Sequence, residues 1–170
     1  NPWFNSDFVL LKKGDALDLP VDDNTIDVAA QNCLFNIFKA EDLKKAISEM
    51  YRVLKPHGRL VMSDPTCEQA MNETLREDGR LRALCLSGSL PINTYVKMLT
   101  DAGFGTVEIR ARKPYRILDP SHYPTDEIIF IESIEVAAIK DPMPEDGPCV
   151  FTGKTAIYFG AEDYFNDQKG

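Results

Sequence analysis

The chain has 170 residues, 44% hydrophobic and 27% charged, with a net charge of −8. That is enough for one domain with a real core and too little to argue for two, and the composition is globular rather than disordered. The acidic balance argues against a nucleic-acid partner, and the longest apolar runs, at 128–131 and 136–139, fall far below the roughly 20 residues of a membrane helix.

No signal peptide is visible, and the four cysteines, Cys33, Cys67, Cys85 and Cys149, include no Cys-x-x-Cys pair. Neither a zinc site nor a disulfide framework is expected, so the thiols are read as reduced and cytoplasmic. The chain starts at Asn1-Pro2 and stops at Asn166–Gly170 without a closing element, as expected of a piece of a longer protein.

Asp7-Phe8-Val9-Leu10-Leu11 is a short apolar run leaving through Lys12-Lys13-Gly14-Asp15, the pattern of a strand and its exit. Turn formers at Asp18-Leu19-Pro20 and Asp22-Asp23-Asn24 lead into a second strand at 25–30. Polarity returns abruptly at Gln31-Asn32, which delivers an amide and then the Cys33 thiol to the carboxyl end of that strand. In open α/β sheets this is the end where ligands sit.

From 40 to 54 the period becomes helical: Leu43, Ile47, Met50 and Leu54 form one stripe, and Lys55-Pro56-His57-Gly58 stops it. A strand at 59–64 completes a βαβ unit. A polar helix is expected at 68–84 and an amphipathic one at 91–102, with Ile92, Tyr95, Val96, Leu99 and Ala102 on one face and Gly103 as its stop. Strand patterns follow at 106–110, 128–139 and 151–159, the last two separated by the loop 141–148. His57 reads as a solvated turn residue, His122 has no evident partner, and Gly103-Phe104-Gly105 follows a helix rather than a strand, so it is no phosphate loop.

Gly14-Asp15-Ala16, Leu19-Pro20 and Asn24-Thr25-Ile26-Asp27-Val28, followed by Glu49-Met50-Tyr51-Arg52-Val53-Leu54-Lys55-Pro56-His57-Gly58-Arg59-Leu60, closely resemble the middle of class I S-adenosylmethionine-dependent methyltransferases. The resemblance implies an α/β, partial Rossmann-like fold: a mostly parallel sheet flanked by helices, with C-terminal β additions. It implies a partial methyltransferase domain at 1–140 and an extension of it at 141–170. The acid after the family's third strand lies near the adenine, and the end of its fourth strand lies beside the methionine part of the cofactor. Carried over, those positions are Asp15 with Ala16, and Asn32, with S-adenosyl-L-methionine as the cofactor.

Asn32-Cys33-Leu34-Phe35-Asn36 and Leu84-Cys85-Leu86-Ser87-Gly88-Ser89-Leu90 resemble two cysteine motifs of arsenite methyltransferases, and 149–160 resembles the C-terminal part of the branch linked to arsenosugar synthesis. The implied ligands of trivalent arsenic are Cys33 and Cys85. By position, Cys67, just beyond the exit of the strand at 59–64, stands near enough to the crevice to be a third thiol, and Cys149, in the loop, is read as structural or far from the site. Soft As(III) suits thiolates better than carboxylates or imidazoles. The implied partners are arsenite, or As(III) conjugated to a thiol, and a thiol reductant.

Two other functions stay open on the residues alone. One is methylation of carbon or oxygen on a small organic substrate, with incidental cysteines, since free cysteine commonly packs as a small hydrophobe. The other is a non-catalytic As(III)-binding module.

The family's glycine-rich loop after its first strand is absent, and so are the ribose-binding acid of the second strand and the amino-terminal arsenic cysteines. In the family order 3-2-1-4-5-7-6 the two missing strands would lie between the strand at 7–11 and the one at 25–30. The first would lack a neighbour and the second would become an unpaired apolar edge. The 170 residues alone are therefore expected to bind the cofactor weakly or not at all, and to be inactive.

Overall fold

In the computed structural model, which describes residues 8–153, the strand expected at 25–30 forms as β1 (Ile26–Asn32), and Cys33 is the first residue beyond it. Helix α1 (Ala40–Val53) follows, burying Leu43, Ala46, Ile47, Met50 and Val53. Each large side chain of that stripe contributes roughly 1.5–3 kcal/mol by leaving water. Glu41 and Asp42 sit in its first turn, where negative charge suits the helix dipole. The helix stops before Leu54, which is extended, as is usual just ahead of an X-Pro pair such as Lys55-Pro56. The Lys140 ammonium donates to the carbonyls of Tyr51 (2.7 Å) and Leu54 (2.8 Å), capping that end.

Strand β2 (Leu54–Cys67) starts directly from the helix. Its register against β1 jumps from Ile26↔Leu54 to Val28↔Arg59, so the proline-glycine stop seen in the sequence survives as a looped-out insertion within the strand. His57 sits there at φ 62° and pairs its Nδ1 with Asp141 Oδ1 at 2.8 Å, so it is exposed but partnered.

The single helix expected at 68–84 is corrected to two short ones, α2 (Glu73–Glu77) and α3 (Gly79–Ala83). Local side-chain hydrogen bonds explain the break. Asn72 Oδ1 accepts from the Leu75 amide (2.9 Å), while Asp78 Oδ1 accepts from Arg80 (2.8 Å) and Leu81 (3.0 Å). Each cap starts a helix, and the second interrupts the first. Strand β3 (Leu90–Pro91) leads into α4 (Ile92–Asp101), which ends at Gly103 with φ 110°. A side chain on Gly103 would meet the Tyr51 ring at 2.9 Å, so both the backbone and the packing require glycine there.

Strands β4 (Thr106–Leu118) and β5 (Ile129–Ile139) come next, then β6 (Cys149–Phe151). The first two residues of β6 begin the strand expected at 151–159 early; 154–159 lies outside the described residues. The sheet order is β1-β2-β5-β4-β6, with β3 beside β2. Its first four strands reproduce the 4-5-7-6 end of the family order. Three ladders are parallel (β1–β2, β2–β3, β4–β6), but the two longest are antiparallel, because β5 runs against both of its neighbours. Helices α1 and α4 pack Leu43, Ile47, Met50, Tyr95 and Leu99 onto Leu60, Met62, Ile134 and Val136.

The strand expected at 7–11 is also corrected. Residues 8–11 are not a strand, Phe8, Leu10 and Leu11 are exposed, and Asp7 lies outside the described residues. The apolar pattern is there, but a strand needs a ladder to satisfy its backbone. Among the described residues nothing pairs with the outer side of β1, and Val28 is 52% exposed on it.

What holds the 15–24 segment is Arg52. Its Nη1 donates to Asp23 Oδ1 (2.6 Å) and the Val21 carbonyl (2.9 Å), and its Nη2 to Glu49 Oε2 (2.7 Å) and the Leu19 carbonyl (3.1 Å). Glu49 Oε2 also accepts from the Leu19 amide at 2.8 Å. The Arg52 hydrogen bond chiefly holds the Glu49 carboxyl down at about 2, from an ordinary 4.5. A carboxylate depressed by folding stabilises the native state above its unfolded pKa, and that contribution fades as pH falls toward the folded value. In denaturant titrations, wild type should therefore exceed Glu49→Gln in stability above about pH 5, with the gap closing toward pH 2; a pH-independent gap would contradict this.

Candidate functional site

Cys33 and Cys85, 52 residues apart, are brought together at the carboxyl end of β1. The Cys33 amide extends the ladder by donating to the Ser63 carbonyl at 2.9 Å, and the Cys85 thiol donates to the Cys33 carbonyl at 3.0 Å. Both cysteines are half-buried free thiols, and both are in the left-handed region, at φ 55° and 59°. Only four non-glycine residues among those described have positive φ, and these are two of them. Such a conformation costs about 1 kcal/mol or more for a residue with a Cβ, and it persists only where the surroundings enforce it.

The enforcement comes from buried polar side chains. Asn36, fully buried in the short 3-10 turn Phe35–Ile37, donates from Nδ2 to the carbonyls of Pro65 (2.8 Å) and Cys85 (3.1 Å). Its Oδ1 accepts from the buried Tyr95 hydroxyl. Gln31 links the same turn to β2, with Oε1 accepting from the Leu34 amide at 2.9 Å and Nε2 donating to Asp64 Oδ2. Asp64 is fully buried, and its other oxygen, Oδ1, has no hydrogen-bond partner.

The electrostatics follow from this burial. Desolvation raises the Asp64 carboxyl to about 7, against the pull of Gln31 and the nearby amides of Asn36 and Phe35. Burial, then the neighbouring Cys85 and Asp64, push the Cys33 thiol up to about 11. At neutral pH Cys33 is therefore a protonated thiol.

The other candidates are placed differently. Cys67, at the end of β2, is buried among Met71, Leu75, Leu81, Leu86, Leu118 and Ile131, with its thiol donating to the Ser89 carbonyl at 3.3 Å. Burial raises it to about 11. Among the described residues no three His, Cys, Asp or Glu side chains converge as a metal site. Cys149 is exposed at the start of β6, four strands from β1, about 19 Å across the sheet. Asn32 is exposed at the last position of β1. Asp15 is exposed and turns Oδ1 back onto the Leu17 amide at 2.9 Å, with half-buried Ala16 between them. Among the described residues no helix is long and apolar enough to cross a membrane.

Asn36 and Tyr95 were visible in the sequence only as a motif neighbour of Cys33 and as one of the apolar positions of a helix. The usable signal was an amide inside the run Leu34-Phe35-Asn36-Ile37-Phe38. A polar group in such a run is buried only with partners.

Comparison with known proteins agrees with this architecture. The family described as "Methyltransferase domain" matches residues 5–103. An arsenite methyltransferase of Aquipseudomonas alcaligenes is 31% identical over 105 residues, covering 62% of this chain and 30% of that protein. A demethylmenaquinone methyltransferase of Lactiplantibacillus plantarum is 43% identical over a shorter stretch of 56 residues, 33% of this chain and 23% of that one. Among solved structures, CrArsM, an arsenic(III) S-adenosylmethionine methyltransferase from Chlamydomonas reinhardtii, superposes with a TM-score of 0.65 at 25% identity, covering 78% of this chain and 44% of that one. The chain spans less than a third of the length of these curated relatives. Strand order, helix placement and family match converge: the chain belongs to the methyltransferase-domain family, in its class I, S-adenosylmethionine-dependent branch.

Proposed function

We propose that the enzyme built on this chain transfers a methyl group from S-adenosylmethionine to trivalent arsenic held by Cys33 and Cys85. The observation that carries this is the pairing of two strained, half-buried thiols at the ligand-binding end of the sheet. Arsenous acid would exchange two of its hydroxyls for the two thiols. Two As–S bonds form, two As–O bonds break, and each thiol proton leaves with a hydroxyl as water. Nothing is oxidised or reduced in that exchange. The raised Cys33 pKa is compatible with it, because the leaving hydroxyl takes the proton. Fixing arsenic by two ligands orients it, and orientation is where most of the rate gain is expected. The similarity to arsenite methyltransferases supports this substrate. The third arsenic ligand is left to a thiol conjugate or to another part of the protein, since Cys67 points into a packed cluster.

The cofactor supplies a methyl group already activated as a sulfonium. The described residues fit one wall of its pocket: exposed Asn32 at the end of β1, and the turn at Asp15 and Ala16. They do not form a backbone cradle, since no strand among them runs into a Gly-x-Gly loop. Similarity to demethylmenaquinone methyltransferases favours a second reading, methylation of a carbon substrate with the cysteines as bystanders.

One measurement separates these readings, and a second tests the cofactor wall. In the full-length enzyme, Cys33→Ser and Cys85→Ser should each lower As(III) affinity by roughly tenfold or more, the loss of about 1.4 kcal/mol, and abolish arsenite methylation. Arsenite methylation retained in both variants would overturn the arsenic assignment. Titration calorimetry of the 170 residues with S-adenosylmethionine should show weak or undetectable heat, and micromolar binding would show that one wall suffices.

A further inference from the structure

We infer that Asn36, held from behind by Tyr95, is the positioning residue that sets the spacing of the Cys33 and Cys85 thiols for a single arsenic atom. The inference rests on the proposed arsenic site and adds to it the group that makes the two thiols one ligand.

The geometry begins on the edge of β2. In a strand, a residue's amide and carbonyl point to the same side. The Ser63 carbonyl accepts from the Cys33 amide, so the Pro65 carbonyl, two residues on, faces the same edge. β1 has ended by then, and the partner of Pro65 is the side-chain amide of Asn36 at 2.8 Å. The second hydrogen of that amide goes to the Cys85 carbonyl at 3.1 Å. One planar group therefore references the second cysteine to the sheet that carries the first.

Two further contacts remove the remaining freedom. The Tyr95 hydroxyl donates to Asn36 Oδ1, which fixes which way the carboxamide faces. Tyr95 is itself fully buried on α4, in the core shared with α1. On the other side the 85–89 loop lies directly against Asn36, since a Cβ on Gly88 would stand 1.7 Å from the Asn36 carbonyl oxygen. The Ser89 hydroxyl shares the Cys85 carbonyl at 3.3 Å. Cys85 keeps its left-handed backbone because its carbonyl is held from two directions.

The test uses phenylarsine oxide, which condenses with two thiols and releases one water, beside iodoacetamide, which alkylates thiols one at a time. In the full-length enzyme Asn36→Ser should weaken phenylarsine oxide binding by roughly tenfold or more, the scale of a lost buried hydrogen-bond pair. Cys33 and Cys85 should still alkylate, and S-adenosylmethionine affinity should be unchanged. Tyr95→Phe should weaken the dithiol clamp less, in the same direction, with the same sparing of single-thiol reactivity. Wild-type phenylarsine oxide affinity in both variants would overturn the inference and leave the proposed function standing. Loss of cofactor binding in parallel with the clamp would also overturn it, by assigning Asn36 a role in folding alone. A wild-type enzyme that clamps phenylarsine oxide through both thiols, loses the clamp in Asn36→Ser, yet never methylates arsenite would sink the proposed function and uphold the spacing role.

Discussion

Where β1 stops, the edge of β2 still carries a carbonyl that needs a donor, and a side chain supplies what the backbone no longer does. The Asn36 amide continues the ladder by one rung at Pro65 and reaches across to Cys85 with its other hydrogen. Without that rung, the Cys33 turn would keep its bonds to β2 through Ser63 and Asp64. The Cys85 loop would be tied to that turn by the Cys85 thiol on the Cys33 carbonyl but would lose its reference to β2 through Pro65. A net hydrogen bond contributes about 1 kcal/mol, but leaving buried donors or acceptors unmatched costs more. Asn36, with Tyr95 on its oxygen, matches all of them at once, so the two loops are constrained together.

The same region also carries destabilising features. Asp64 is buried with one oxygen unpartnered, and both cysteines adopt backbone conformations that most residues avoid. Burial makes the Asp64 carboxyl retain its proton to about 7. Elsewhere among the described residues there is no such cluster: α1, α4 and the central strands are packed with ordinary apolar side chains, and the ion pairs are mostly at the surface. Strain concentrated in one place, on a well-packed scaffold, is the usual distribution around a binding site.

Much of this was legible in the sequence for identifiable reasons. Leu43, Ile47 and Met50 announced α1 because a helix with one buried face leaves a periodic record. Cys33 and Cys85 stood out as motifs, and the edge position of β1 followed from the strand order alone. The failures have a common cause. Residues 7–11 have a strand's composition, but pairing depends on a neighbour that composition does not encode. The helix expected at 68–84 broke because Asn72 and Asp78 competed for the backbone through their own side chains, a contest that periodicity does not register. β2 overran its expected end at 64 because Pro65 lacks a donor only on the side where β1 has already stopped.

That proline has a consequence for the edge as a whole. β1 covers the edge as far as Ser63, and the short β3 takes up the same edge again at Thr66 and Cys67. Between them stands a position that cannot offer a hydrogen to any incoming strand, so one continuous strand could never zip the two halves together without losing a rung. The seam between the two cysteine loops is thus written into a covalent ring. Substitutions that lengthen β1 or β3 can narrow the seam, but only replacing Pro65 itself would let the sheet heal across it.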